Sequence, residues 1–223
     1  MNIVENLIKA EKIASLLFDE ITKNDFLIAG KTEQQLSDEL CEIAHSKYGI
    51  EKHWHKRLVR SGANTLFPYY AELPNLTIEK DDIIFFDFGP LIDKWEADFG
   101  RSFVLGNDPL KHKLKQDIEE AWYRTKDWFD GQTSVSGAEL YQYAFNLAKE
   151  YNWEFGGEIA GHLIGEFPHE KVEKGNYNLY IHPENHNDMR LLDKNEKQRH
   201  WILEIHFIDR EKQIGGFFEQ LLC

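Results

Sequence analysis

Asp87 stands at the end of the apolar run Ile83-Ile84-Phe85-Phe86, where a carboxylate is costly to desolvate unless a cation or hydrogen bonds compensate it. Asp98 follows in Trp95-Glu96-Ala97-Asp98-Phe99-Gly100-Arg101, and a hairpin turning at Gly89 to Lys94 would lay the two strands side by side. Two acidic residues on adjacent strands repel unless a metal lies between them. The bland alternative is a solvated Asp98 paired with Arg101. Further on, Gly161-His162 offers an imidazole, a donor suited to Zn, Mn, Fe or Co, although a lone histidine is more often structural. His169 comes from the same segment, after Phe167-Pro168. Glu204 lies inside Trp201-Ile202-Leu203-Glu204-Ile205, and Glu219 inside Phe217-Phe218-Glu219-Gln220-Leu221-Leu222. One buried glutamate usually pairs with Lys or Arg. Four acidic residues in apolar strands, with few basic residues beside them, are more economically explained by one shared dinuclear metal centre.

The elements that must position these residues follow from periodicity and caps. Val4, Leu7, Ile8, Ile13, Leu16, Leu17 and Ile21 have helical spacing, so a first helix is predicted over Ile3 to Ile21. Thr32 with Gln35 makes a capping box for a second helix, which Gly49 ends. Ile83 to Phe88 reads as a buried strand and Lys94 to Leu105 as its partner. Asp108-Pro109 starts a helix reaching about Phe129, and Ser136 with Glu139 caps another ending near Tyr151. Trp153 to Cys223 reads mainly as strands and turns, with Trp201 to Ile208 the clearest strand. The order of helix, Gly30-Lys31-Thr32, helix and strands returns as helix, Gly131-Gln132-Thr133, helix and strands. Two duplicated halves, about 1–105 and 106–223, would bring ligands from both to one centre. The alternative is that Gly-x-Thr is only common turn chemistry before a helix.

A chain of 223 residues fits one α/β domain, 1–223, with a sizeable core. The formal net charge of −13 opposes nucleic acid or an anionic membrane surface as a partner, because both require a basic face. Cys41 and Cys223 lack any CxxC spacing, which makes a disulfide framework or thiolate zinc site improbable and the cytoplasm the natural compartment. Glu5, Lys9, Glu11 and Lys12 interrupt the stretch where a signal peptide would need its apolar segment, and no run of about 20 apolar residues suits a membrane span. The oligomeric state stays open, a homodimer included.

With these residues placed, the chain resembles the pita-bread metallopeptidases, which include methionine aminopeptidases, prolidases and aminopeptidases P, with the related creatinases. The likeness covers most of the chain and rests on Asp87-Phe88-Gly89, Glu96 to Gly106, Gly161-His162-Leu163-Ile164-Gly165 through Pro168-His169-Glu170, Leu203-Glu204 and Phe218-Glu219. Ordered spacing across five positions makes it strong where each motif alone is weak. The resemblance implies an α/β (α+β) fold of two pseudo-symmetric halves, with a curved antiparallel sheet and helices outside. It also implies two divalent ions, Mn, Co, Zn or Fe: Asp87 would bind one, Asp98 and Glu219 would bridge both, and His162 with Glu204 would complete the second. A metal-bridging water or hydroxide would then be the nucleophile on the N-terminal bond of a short peptide. Glu204 would also carry the proton, and His169 would contact the substrate carbonyl or tetrahedral intermediate.

One departure concerns the cleft mouth. Prolidase-like and aminopeptidase P-like members carry a histidine in Pro-His-Tyr after Ser-Gly-x-Asn; here Ser61-Gly62-Ala63-Asn64 leads to Pro68-Tyr69-Tyr70. Tyr69 therefore takes the substrate-contact position, and a phenol with a pKa of about 10 is a poor proton shuttle near neutrality. His55 or His53 from the preceding segment would be the substitute, against a surface role for both. The spacing from Glu204 to Glu219 is also short, and the large N-terminal domain of prolidases is expected to be missing. The leading expectation is an Xaa-Pro aminopeptidase or dipeptidase. A methionine aminopeptidase, a non-catalytic binding protein and a creatinase-like C–N hydrolase are the alternatives.

Overall fold

A computed structural model describes residues 2–23, 25–169 and 175–223; Glu170, quoted in the motif above, lies outside them. Helix α1 (Ile3–Phe18) continues into a 3-10 turn over Asp19–Thr22. Helix α2 (Glu33–Tyr48) starts on the expected box: Thr32 Oγ1 accepts from the Gln35 N–H at 3.2 Å, and Gln35 Oε1 accepts from the Thr32 N–H at 2.8 Å. Gly49 ends it in the left-handed region, with φ 66°. Asp108 caps α3 (Pro109–Asp130) and Ser136 with Glu139 caps α4 (Gly137–Glu150), as the sequence predicts.

Seven strands form one antiparallel sheet. They are β1 (Leu58–Ser61), β2 (Ile83–Phe88), β5 (Phe99–Val104), β6 (Glu154–Phe155), β7 (Leu163–Ile164), β8 (His200–Asp209) and β9 (Ile214–Leu222), in the order β1-β2-β5-β9-β8-β6 with β7 also on β8. On either side of the β5–β9 seam the chain runs helix, helix, then strands whose last member meets the seam. A separate small hairpin joins β3 (Leu91–Ile92) to β4 (Trp95–Glu96). The strand expected over Lys94 to Leu105 is therefore divided. Its first residues spend their backbone donors elsewhere, Glu96 N–H on Gly165 O at 3.1 Å and Ala97 N–H on Pro90 O at 3.0 Å, so pairing with β2 starts only at Phe99. β1 was not read from the sequence because Arg60 and Ser61 hide a strand that is buried throughout.

The sheet is buried on both faces, so its strands read as continuous apolar runs although their side chains alternate. Ile84, Phe86 and Phe88 of β2 pack on Ala10, Ala14 and Leu17 of α1 and Leu36 and Leu40 of α2. Leu203, Ile205 and Phe207 of β8 and Phe218 of β9 pack on Leu114, Ile118 and Trp122 of α3 and Leu140 of α4. Phe85, Asp87, Glu204, His206, Phe217 and Glu219 face the other way and line one cavity. Among the described residues no helix is long and apolar enough to cross a membrane.

Candidate metal centre

Strand register brings three of the carboxylates into one row: Asp87 of β2 stands opposite Gly100 of β5, Gly100 opposite Glu219 of β9, and Glu219 opposite Glu204 of β8. Gly100 is the gap that makes the row possible. A Cβ there would lie 2.5 Å from the Phe217 ring and 3.0 Å from Glu219 Cβ. Asp98 precedes β5 by one residue, and the chain's break from the sheet at Ala97 aims it into the same space. His162 arrives from the other half because Ile202 N–H donates to His162 O at 2.8 Å and Glu204 N–H to Ala160 O at 2.9 Å, which zips segment 160–164 onto β8. Its Nε2 lies 3.1 Å from Asp98 Oδ2 and 3.6 Å from Glu204 Oε1. All five expected ligands thus line one cavity of about 480 Å³.

Arg101 does not pair with Asp98. Its guanidinium lies between the rings of Phe99 and Phe218, 3.8 and 3.6 Å from their centroids, and donates to Gly100 O and Glu219 O at 2.7 Å each. The cation holds the backbone behind the site rather than the carboxylates, whose basic partners are the imidazoles of His55 and His162.

That crowding shows in the ionisation of the site. Burial, then the neighbouring Asp98, Asp87 and Glu204, drive Glu219 well above the usual carboxylate range. Burial is likewise the main cause that lifts Asp87 and Glu204 to about 7. Burial also works to raise Asp98, but His55 and His162 outweigh it and hold Asp98 well below that range. Against their own burial, the carboxylates push His55 to about 10 and His162 to about 9.

Among the described residues, two oxygens of this cluster, Asp87 Oδ1 and Glu219 Oε2, are buried with no hydrogen-bond partner. An orphaned buried acceptor costs about 1–3 kcal/mol, more when charged. A set of carboxylates and imidazoles with unused lone pairs fits divalent cations. Ligand atoms of His55, Asp87 and Asp98, and those of Asp98, His162 and Glu219, lie within 4.8 Å of one another.

The other expected site residues divide. His55 enters the centre itself, with Nε2 2.9 Å from Asp98 Oδ1. His53 packs edge-on against Phe88 and is not part of the cavity wall. Tyr69 lines the cavity; its hydroxyl accepts the Lys56 N–H at 2.9 Å, leaving its own hydrogen to donate. Burial raises the phenol further, so it stays a donor. His169 stands apart from the cavity wall, its ring 6.4 Å from that of His162, with Trp54 edge-on to both.

Three supporting residues were not singled out from the sequence. Glu96 is wholly buried and accepts from His169 Nδ1 at 2.7 Å, His169 N–H at 3.2 Å and Gly165 N–H at 3.1 Å. Trp54 donates its indole N–H to Ala97 O at 2.9 Å and meets His55, His162 and His169 edge-on. Buried Arg60 donates to the carbonyls of Pro68, Tyr69 and Ala71 and so fixes the loop that carries Tyr69. An acid one pleat before Asp98 was a readable signal for Glu96. Ser61-Gly62-Ala63-Asn64 is a clasp on Glu33, whose carboxylate accepts from Ser61 N–H and Asn64 Nδ2.

The model of metallopeptidase family M24 matches residues 5–196. The chain is 25% identical over 163 residues to the Xaa-Pro dipeptidase of Pyrococcus horikoshii and 24% identical over 163 residues to that of Pyrococcus furiosus. Each alignment covers 72% of this chain and 44% of the relative, so the chain spans less than half the length of these curated relatives. Among solved structures, the prolidase of Thermococcus sibiricus superposes with a TM-score of 0.75 at 21% identity, over 97% of this chain and 54% of that one. The methionine aminopeptidase of Rickettsia prowazekii gives 0.72 at 17% identity, over 98% and 91%. The architecture is the pita-bread fold. The family match takes in Asp87, Asp98 and His162 and spans most of the sequence, and on it the chain belongs to metallopeptidase family M24.

Proposed function

We propose that this chain is a dinuclear metal-dependent aminopeptidase that hydrolyses the N-terminal bond of short Xaa-Pro peptides in the cytoplasm. The observation that carries this reading is the group of three buried carboxylates, Asp87, Asp98 and Glu219, with the half-buried Glu204 beside them and two orphaned oxygens among them, on the wall of a cavity. Two dications balance four carboxylates when both imidazoles are neutral. Asp87, Asp98, His162, Glu204 and Glu219 hold the ions. When bound, the ions lower the pKa of a water and polarise the scissile carbonyl. Glu204, with its side chain 16% exposed against 3% for Asp98, is the more open carboxylate and moves the proton from water to the leaving amine. Glu96 fixes His169 beside His162, at the edge of the centre rather than on the cavity wall, and the Tyr69 hydroxyl donates to the substrate. Leu58, Phe67, Pro68, Phe85, Ile159 and Phe217 offer an apolar wall suited to a pyrrolidine ring. Halves 1–105 and 106–223 act as one duplicated catalytic unit, an assignment supported by the mirrored order of elements about the seam.

The test is hydrolysis of Xaa-Pro, Met-Ala-Ser and unrelated peptides by metal-stripped protein with Mn, Co, Zn or Fe restored. Turnover confined to Xaa-Pro peptides is expected. Turnover of Met-Ala-Ser alone would shift the reading to a methionine aminopeptidase. No turnover with any ion would leave a binding protein.

Tyr69 gives a sharper check. A lost orienting hydrogen bond costs about 0.5–1.5 kcal/mol, so Tyr69→Phe should lower turnover about three- to tenfold, and Tyr69→His should be tolerated. If Tyr69→His were a hundredfold faster than wild type on the same peptide, proton transfer rather than orientation would be the role of this position.

A further inference from the structure

We infer that His55 is a sixth ligand of the metal centre, an imidazole donor to the ion held by Asp87 and Asp98. The inference rests on the dinuclear reading above and replaces the substrate-contact role expected for His55. Its basis is a correspondence with His162. His162 Nδ1 lies 2.8 Å from the carbonyl oxygen of the next residue, Leu163, and its Nε2 lies 3.1 Å from one oxygen of Asp98 and 3.6 Å from Glu204. His55 Nδ1 lies 2.8 Å from the carbonyl oxygen of its own next residue, Lys56, and its Nε2 lies 2.9 Å from the other oxygen of Asp98 and 3.6 Å from Asp87. A carbonyl only accepts, so in each neutral ring Nδ1 carries the hydrogen and Nε2 turns its lone pair toward the carboxylates. That is the tautomer and the backbone support of a metal-binding histidine.

The two imidazoles therefore flank Asp98 from opposite sides, each facing a second carboxylate of its own. Asp87 Oδ1, the oxygen nearer His55, is one of the two orphaned acceptors. The ring is also held in place. Trp54 meets it edge-on at 4.5 Å and Tyr69 at 5.8 Å, and a Cβ at position 89 would stand 2.1 Å from its Cδ2, so only glycine there admits the imidazole. A side chain boxed in this way and only 10% exposed is placed for a fixed ligand rather than for following a substrate in and out. Each ion would then be held by one imidazole and one carboxylate of its own, His55 with Asp87 and His162 with Glu204, with Asp98 and Glu219 available to both. Two such similar donor sets should have similar affinities, and the second imidazole moves the preference toward the later first-row ions.

Zinc titration of metal-stripped protein, with X-ray absorption of the loaded form, tests this. Wild type should bind two zinc ions with comparable affinity and show on average one imidazole per zinc. His55→Ala should keep one tight site and weaken the other by at least about a hundredfold, the upper end of what outer-shell changes alone cost, while the imidazole count per zinc falls. Wild type with two zinc ions but half an imidazole per zinc would overturn the assignment without any variant being needed. So would a His55→Ala isotherm that is unchanged or tighter, which would make the imidazole only an ion-pair partner of Asp98. Both of these results leave the dinuclear reading standing. Wild type that takes up no zinc, nor any of Mn, Co or Fe, would remove that reading and the His55 assignment with it.

Discussion

Replacing Asp98 with alanine is expected to abolish tight binding of both metal ions and to reduce peptide hydrolysis by on the order of 10⁴-fold or more. Each of its oxygens lies against a different imidazole, Oδ1 against His55 at 2.9 Å and Oδ2 against His162 at 3.1 Å. It is the carboxylate that joins the two sides of the centre. Removal of one preorganised stabilising group from an active site costs about 10²–10³ in rate, and an acid–base group contributes about 10²–10⁴. Loss of Asp98 impairs both effects together, because the ions provide the nucleophile as well as the electrostatic stabilisation. His162→Ala should instead weaken chiefly one ion. Calorimetric titration and turnover on an Xaa-Pro dipeptide read the difference. Two intact sites in Asp98→Ala would contradict the assignment of a shared ligand.

The second large effect is expected at Glu96, which touches no ion in the proposed centre. Its carboxylate is wholly buried and accepts from three donors, the imidazole and N–H of His169 and the N–H of Gly165. Alanine there would strand two backbone donors, each costing about 1–3 kcal/mol, and would free the imidazole to turn. Misplacing a catalytic group by about 1 Å can cost about 10²-fold, so kcat should fall by about that factor while KM and metal stoichiometry change little. Glu96→Gln keeps an acceptor but places an amide N–H among donors, and should recover part of the stability with less of the rate. Should Glu96→Ala keep kcat within twofold while His169→Ala loses activity, the positioning role would be wrong.

The contrast between Asp98 and Glu96 also explains what could be read from the sequence. Asp87, Glu204 and Glu219 were legible because each puts a charge into an apolar run, a local anomaly that desolvation makes costly wherever the strand ends up. The helix boundaries were legible for a similar reason, since Thr32-Gln35 and Ser136-Glu139 satisfy backbone donors within a few residues. Glu96 was less legible, because its partners lie in a segment about 70 residues away that only the fold brings near. His55 and Trp54 belong to the same class. Nothing in His53-Trp54-His55 distinguishes the imidazole that enters the centre from the one that packs on Phe88. The division of the Lys94 to Leu105 strand was hidden too, because the carbonyls that capture its first N–H groups belong to Pro90 and Gly165, outside the strand itself.

The seam between β5 and β9 carries a consequence for the order of events in folding. Gly100 meets Glu219 across it, and His162 is carried into place by β8, so no contiguous stretch of the first half presents a complete ligand set. Pairings between segments so distant in sequence must bear the entropy of closing a long loop before any contact rewards them, and such contacts form late. Until β9 forms, the first half would offer only His55, Asp87 and Asp98, and the shared Glu219 would complete neither ion's set. Ion capture would act as a latch that closes only on the finished topology, sparing the partly folded chain from trapping a metal in the wrong geometry.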